Sequence, residues 1–462
     1  MGDIPLTAAW VAEVMSGSLD GDRGRAFTGV SIDTRTLKAG ELFVAIRGER
    51  FDGAEFADLA VERGAGGVVV PRGRRVAGAA VVIEVDDAVA ALQALGHAVR
   101  RASGARVVAI TGSAGKTTTK EVTAELLAAR YHVIRNRGNL NNHIGLPLSL
   151  VDLRRRPEIA VVELGMNHAG EISTLVGIAE PDARVWTNVG EAHVGFFGSV
   201  DAIADAKAEI LERASAQTLL VANADDDRIT ARVKGFPGRV VTFGIEREAD
   251  VRATDVVDRG IDGMAARIST PHGSADVESS LIGRANLANV LAATAVAIEF
   301  DVPLTAVAEA ARRLTPASRR GEVVRLSNGV VVIDDSYNAN PTATKRALEV
   351  LAASNARRRV AVLGEMLELG DRADDLHREV GRAAARLHLD ALFVVGGDPA
   401  RAIAAAAVDS GMDRARVRHF GSSDDAAVAV AEFVKTGDVV LVKGSRGVKT
   451  DRVVDRLRAD QA

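Results

Sequence analysis

The run Thr111-Gly112-Ser113-Ala114-Gly115-Lys116-Thr117-Thr118 constrains this chain more than any other eight residues in it. It follows the apolar stretch Val107-Val108-Ala109-Ile110 and leads into a helix-forming segment, so it predicts a strand, a glycine-rich turn and a helix in that order. Such a turn aims backbone N–H groups and the positive end of a helix dipole at one anion. Lys116 adds a mobile cation, and the Thr117 hydroxyl suits Mg²⁺. The spacing is the shorter G-x-x-G-K-T, with Ile110 standing where the longer phosphate-loop pattern has its first glycine. A nucleoside triphosphate is the expected ligand.

The rest of the chain must supply a body for that turn. Its 462 residues suggest about three domains, and 47% hydrophobic residues are ample for buried cores. A net charge of −4 argues against a general nucleic-acid binder, and the arginine runs at 154–156 and 357–359 read as solvated faces. The absence of cysteine excludes a disulfide framework, a thiolate nucleophile and a zinc–cysteine site. The N-terminal residues lack a basic region followed by an apolar run, and no apolar stretch is long enough to span a bilayer. A cytoplasmic monomer without membrane insertion is the expectation.

Periodicity divides the chain into three α/β regions. Residues 1–103 hold short strands at 40–46, 67–70 and 81–85 between helical patterns, a small α/β unit. Residues 104–313 form the phosphate-loop region, with parallel strands expected at 107–110, 159–163, 184–188 and 218–222 and an antiparallel insertion or edge between about 239 and 283. Residues 314–462 place strands at 330–333, 360–363, 391–395 and 439–442, which predicts a second, Rossmann-like, doubly wound parallel sheet. No G-x-G-x-x-G fingerprint accompanies it, so no nicotinamide cofactor is assigned.

Open parallel sheets gather their functional groups outside the carboxyl ends of the strands. Glu163 ends the run Ile159-Ala160-Val161-Val162 and would place a hard oxygen ligand for Mg²⁺ beside the phosphate loop. After 184–188 comes Val189-Gly190-Glu191-Ala192-His193, a second polar cluster in which His193 would face metal or phosphate.

Six ordered motifs together resemble the Mur ligases, ATP-dependent amide-forming enzymes of peptidoglycan synthesis. They are the phosphate loop, Gly138-Asn139-Leu140-Asn141-Asn142-His143-Ile144-Gly145, Glu163-Leu164-Gly165-Met166-Asn167, Glu191-Ala192-His193 with Gly198-Ser199, Asp334-Asp335-Ser336-Tyr337-Asn338-Ala339-Asn340-Pro341, and Lys443-Gly444-Ser445-Arg446. The last two of these, together with the Asn139-Leu140-Asn141-Asn142 run and Leu363-Gly364-Glu365-Met366-Leu367-Glu368-Leu369-Gly370, most resemble the family members that add D-alanyl-D-alanine to a UDP-N-acetylmuramoyl-tripeptide.

The resemblance implies a division of labour. Residues 1–103 would bind the UDP-sugar peptide, 104–313 ATP, and 314–462 would complete the ligase. Gly112, Ser113, Ala114, Gly115, Lys116, Thr117 and Thr118 would hold the ATP phosphates, with Lys116, Glu163, His193 and Lys207 as the catalytic set. Thr117, Glu163, His193 and a carbamylated Lys207 would bind Mg²⁺; without the family, Lys207 reads as a helix-surface lysine flanked by acids. Asn286 and Asn289 would meet adenine, although Ala285 replaces the histidine of the family's G-x-H-N-x-x-N segment. Asp335 would take the ribose and either Arg319 or Arg320 the γ-phosphate. Ser31, Thr34, Arg35, Asn139, Asn141 and Asn142 would hold the acceptor substrate, and Asn338, Asn340, Lys443, Ser445 and Arg446 the incoming dipeptide. Two alternatives stay open: another amide ligase of this fold, adding a diamino acid or glutamate, and a nucleotide-gated switch. The missing Asp-Asn-Pro-Arg run counts against the diamino-acid option.

Overall fold

The computed structural model describes residues 2–48 and 50–460. They form two compact units, one of residues 2–48, 50–110, 130–184 and 209–219, the other of residues 111–129, 185–208 and 220–460.

In the first unit a five-stranded sheet runs in the order Ser18–Gly21, Val81–Val85, Gly67–Pro71, Leu42–Val44, Val30–Ser31. All pairings are parallel except that of Ser18–Gly21, which closes one edge antiparallel. Three further parallel strands, Arg106–Thr111, Ile159–Glu163 and Val133–Arg135, bring Ile110 opposite Glu163. Between these sheets in sequence lies the helix Ala88–Ser103. It starts where Asp87 accepts from the Val89 and Ala90 N–H groups, stops at Gly104 in left-handed geometry, and buries Leu92, Leu95 and Val99. Near its end Arg100 donates to the carbonyls of Ala179, Ala105 and Glu180 and to the Asp182 carboxylate. The expected break near residue 103 is therefore crossed by charge-assisted bonds.

The second unit contains a six-stranded sheet in the order Glu322–Arg325, Val331–Asp335, Asp438–Lys443, Arg358–Gly364, Ala391–Val395, Val417–Phe420. Five strands are parallel, as the helical crossovers between them require, but Glu322–Arg325 joins antiparallel, so the sheet is not purely parallel as expected. Strand order reverses around Asp438–Lys443, and there the ends of Val331–Asp335, Asp438–Lys443 and Arg358–Gly364 open the crevice where such sheets bind ligands. The β-rich stretch near 239–283 is antiparallel through Val251–Asp258, Met264–Thr270 and Gly273–Ser279, whereas Arg239–Gly244 pairs parallel with the first of these. No helix among the described residues is long and apolar enough to cross a membrane.

Candidate active site

The phosphate loop has the predicted form. Gly115 sits at φ +78° immediately before the helix Lys116–Leu127, and a Cβ there would come within 2.5 Å of Asn289 Oδ1. At Gly112 a Cβ would lie 1.9 Å from Thr187 Oγ1, so neither position accepts a side chain. Lys116 folds back, and its Nζ donates to the Gly112 carbonyl at 2.8 Å across the turn.

Side chains at the end of the strand Ala183–Trp186 pin the loop. Asn188 Oδ1 accepts from Ala114 N at 2.9 Å and its Nδ2 donates to Ala114 O at 2.9 Å, while Thr187 Oγ1 donates to the same carbonyl at 3.0 Å. Ser113 and Gly190 exchange two more bonds. Sequence reasoning counted Thr187 and Asn188 only as strand; the structure ends that strand at Trp186 and turns both into loop supports. Their place just past a strand end was the available signal.

From the far side comes the helix Arg284–Glu299. Asn289 is buried, accepts from Thr119 Oγ1 at 3.1 Å, and donates to Asn286 Oδ1, while Asn286 Nδ2 donates to the Ile282 carbonyl. The two amides expected on adenine are engaged within the protein here, because a buried amide must satisfy its donors and acceptors. In this arrangement they brace the loop.

Arg320 Nη2 donates to Thr117 Oγ1 at 3.3 Å, whereas Arg319, at φ +61°, turns to Asp451 and Asp455. Asp335 lies at its strand end as expected, but it is paired with Lys443, whose Nζ donates to Asp335 Oδ2 at 2.6 Å and to the Asn338 carbonyl at 2.9 Å. Lys443 is 3% exposed, and Ser445 is buried too, accepting from Leu367 N and donating to the Ala339 carbonyl. Both are expected at a substrate carboxylate; in this structure Lys443 bonds Asp335 and the Asn338 carbonyl and Ser445 the Ala339 carbonyl, all in the loop 335–340. Asn340 caps the helix Pro341–Ala353 through Ala343 N. Asn338 and Arg446 remain exposed.

His193 adopts φ +64° and places Nδ1 2.6 Å from Glu368 Oε2, itself at φ +65°. That contact holds the Glu368 carboxyl below its ordinary range, the histidine's hydrogen bond being the largest cause. Glu368 was read only as part of a motif. The loop carrying it is set by buried His377, whose Nε2 accepts from Met366 N at 2.9 Å while Nδ1 faces the Ala373 carbonyl at 2.7 Å. Burial pushes the His377 pKa down, so the neutral form is the native one. The unfolded state binds the extra proton first as pH falls, and stability rises with pH across the window between the two values. Melting temperature should therefore drop from pH 7 to pH 5, and His377→Gln should flatten that slope; an unchanged slope would refute the role.

Lys207 differs from its sequence reading. It lies on the helix Val200–Ala208 yet is only 1% exposed. The flanking acids Asp201 and Asp205 face Arg228 and Arg232 instead.

The first unit holds Glu163, 3% exposed, accepting at Oε1 from Asn141 Nδ2 at 2.7 Å, with its N–H on Asn136 Oδ1 at 3.0 Å. Asn136 is a buried support that sequence reasoning passed over. Asn142 caps the following helix by accepting from Gly145 N, and Asn139 is exposed. Ser31 and Asp33 bond each other, and Arg35 clamps the Asp33 carboxylate, lowering its pKa to about 2. Thr34 is buried, with its carbonyl on Arg63.

Among the described residues no group of three or more His, Asp or Glu side chains forms a metal cage. The glycine cradle, the lysine across it and the arginine on Thr117 suit a polyphosphate.

A phosphate loop of this form, with Arg320 on Thr117, marks a nucleotide-dependent α/β enzyme. Residues 26–136 match the Mur ligase family catalytic domain, 110–297 the Mur ligase middle domain, and 319–446 the Mur ligase glutamate ligase domain. A UDP-N-acetylmuramoyl-tripeptide--D-alanyl-D-alanine ligase of Bacillus subtilis is 34% identical over 458 residues, covering 98% of both chains. The structure of MurF from Acinetobacter baumannii superposes with a TM-score of 0.90 at 30% identity, covering 99% of this chain and 100% of the other. MurF from Thermotoga maritima in complex with ADP gives 0.82 at 29% identity, covering 94% and 97%. The chain belongs to the Mur ligase family.

Proposed function

We propose that this chain, as a cytoplasmic monomer, uses ATP to join D-alanyl-D-alanine to UDP-N-acetylmuramoyl-tripeptide. The observation that carries the reading is the full-length likeness to a ligase of that activity. A carboxylate oxygen of the tripeptide attacks the γ-phosphorus of ATP, and ADP leaves. The dipeptide amine then attacks the acyl carbon of the acyl phosphate, the C–O bond to phosphate breaks, and the amine gives up a proton.

The first step crowds anions together, so positioning and charge neutralisation carry most of the catalysis. The loop N–H groups and Lys116 hold the phosphates, and Arg320 approaches them from Thr117. Mg²⁺, when bound, would neutralise phosphate oxygens, and Thr117, Glu163, His193 and a carbamylated Lys207 are assigned as its ligands. Asn141 keeps one Glu163 oxygen oriented. Asp335, fixed by Lys443, is assigned to the ribose. Residues 1–103 are assigned to the UDP-sugar peptide, 104–313 to ATP and 314–462 to the dipeptide, with exposed Arg35, Asn139, Asn338 and Arg446 as its contacts to substrate.

Phosphate release from ATP should require both UDP-N-acetylmuramoyl-tripeptide and D-alanyl-D-alanine, with a product heavier by one dipeptide less water. Release that depends on a diamino acid or glutamate would move the chain within its family, and release indifferent to every acceptor would favour a nucleotide switch.

A further inference from the structure

Two arginines share the ring of Tyr337. The Arg320 guanidinium carbon lies 4.0 Å from the ring centroid and that of Arg446 5.5 Å away, with Arg446 Nη1 3.5 Å from the phenolic oxygen. The backbone presents the ring at that place. Tyr337 N donates to the Arg319 carbonyl at 3.2 Å, and Gly321 N donates to the Asp334 carbonyl at 2.9 Å, so the two segments flanking Arg320 and Tyr337 are stitched together. Ser336 adds bonds from its N–H and hydroxyl to the Asp334 carboxylate, fixing the turn from which the tyrosine projects.

Arg320 is long and has many rotamers, and the one it adopts lies over the ring and carries Nη2 to Thr117 Oγ1. A planar guanidinium stacks on an aromatic face and is attracted by its quadrupole, so the ring selects that rotamer before any nucleotide arrives. Arg319 cannot take its place, being held by Asp451 and Asp455. We infer that Tyr337 is a positioning residue, holding the Arg320 guanidinium in the direction that meets the nucleotide phosphates. The inference rests on the proposed function in taking Arg320 as a phosphate ligand. Tyr337 acts through Arg320.

The test uses the full-length chain with ATP kinetics and ADP binding by calorimetry, after thermal melts establish folding. Tyr337→Leu should weaken ADP binding and lower kcat/KM for ATP about tenfold, the scale of a partly desolvated cation–π contact. Tyr337→Phe keeps the ring and should stay within about twofold of the parent. In an Arg320→Ala background, Tyr337→Leu should cost less than about twofold more, because the two residues act as one unit. Tyr337→Met, of similar reach and without a ring, takes the leucine variant's part if that variant does not fold. Losses that multiply independently, or a phenylalanine variant as poor as leucine, would overturn the inference. An Arg320→Ala protein with unchanged ATP kinetics would overturn it together with the phosphate role of Arg320, whereas acceptor-independent phosphate release would overturn only the ligase reading.

Discussion

Replacing Lys116 with alanine is expected to lower acceptor-dependent phosphate release by about 10²–10³-fold, the range for losing one preorganised donor to a developing anion. The melting temperature should stay within about 2 °C, since a half-buried side chain at a loop mouth contributes little to packing. The reason lies in what the side chain does at rest. Its Nζ bonds the Gly112 carbonyl at 2.8 Å, spanning the turn whose N–H groups are assigned to the phosphates. A phosphate oxygen offers a full negative charge where the carbonyl offers a dipole, so the ammonium moves toward nucleotide at little cost. Arginine is not a substitute there, because its planar fork is larger than a compact ammonium and needs different geometry. Steady-state assays with parallel melts decide the matter: near-normal turnover in Lys116→Ala would remove the phosphate loop from catalysis.

The loop was legible because its pattern is local. A strand, two glycines with no room for a side chain and a helix start lie within a dozen consecutive residues, and each follows from sequence spacing alone. The long apolar strands Ile159–Glu163, Ala391–Val395 and Val81–Val85 appear within the expected bounds for the same reason. Short edge strands such as Leu6–Thr7 and Glu322–Arg325 were not legible, since two to four residues give no period to read. Residue roles fixed by distant partners were harder still. Lys443 looked like a free carboxylate binder until Asp335, 108 positions earlier, proved to be its partner. Glu368 became part of the site only through His193, and Tyr337 only through Arg320 and Arg446. Helical spacing made Lys207 a surface residue, and tertiary packing overrode it.

That last discrepancy carries the second large effect. Lys207 is 1% exposed, and its sequence neighbours Asp201 and Asp205 are bonded to Arg228 and Arg232. A carbamate would form there by addition of the neutral amine to carbon dioxide. The nitrogen lone pair forms the N–C bond, one proton leaves, and a carbamate anion stands where a cation was. An anion suits a place assigned to Mg²⁺, which takes oxygen ligands. Lys207→Ala is therefore expected to lose turnover by about 10³-fold, comparable to losing a charge-stabilising group in a water-poor site. Short-chain carboxylic acids should restore part of that loss by placing a carboxylate in the vacated space, while leaving the parent enzyme unaffected. Depleting bicarbonate from the parent should reduce its activity reversibly. A Lys207→Ala protein that folds normally but gains nothing from added acid, alongside a parent indifferent to bicarbonate, would show that Lys207 works as an amine and not as a carbamate.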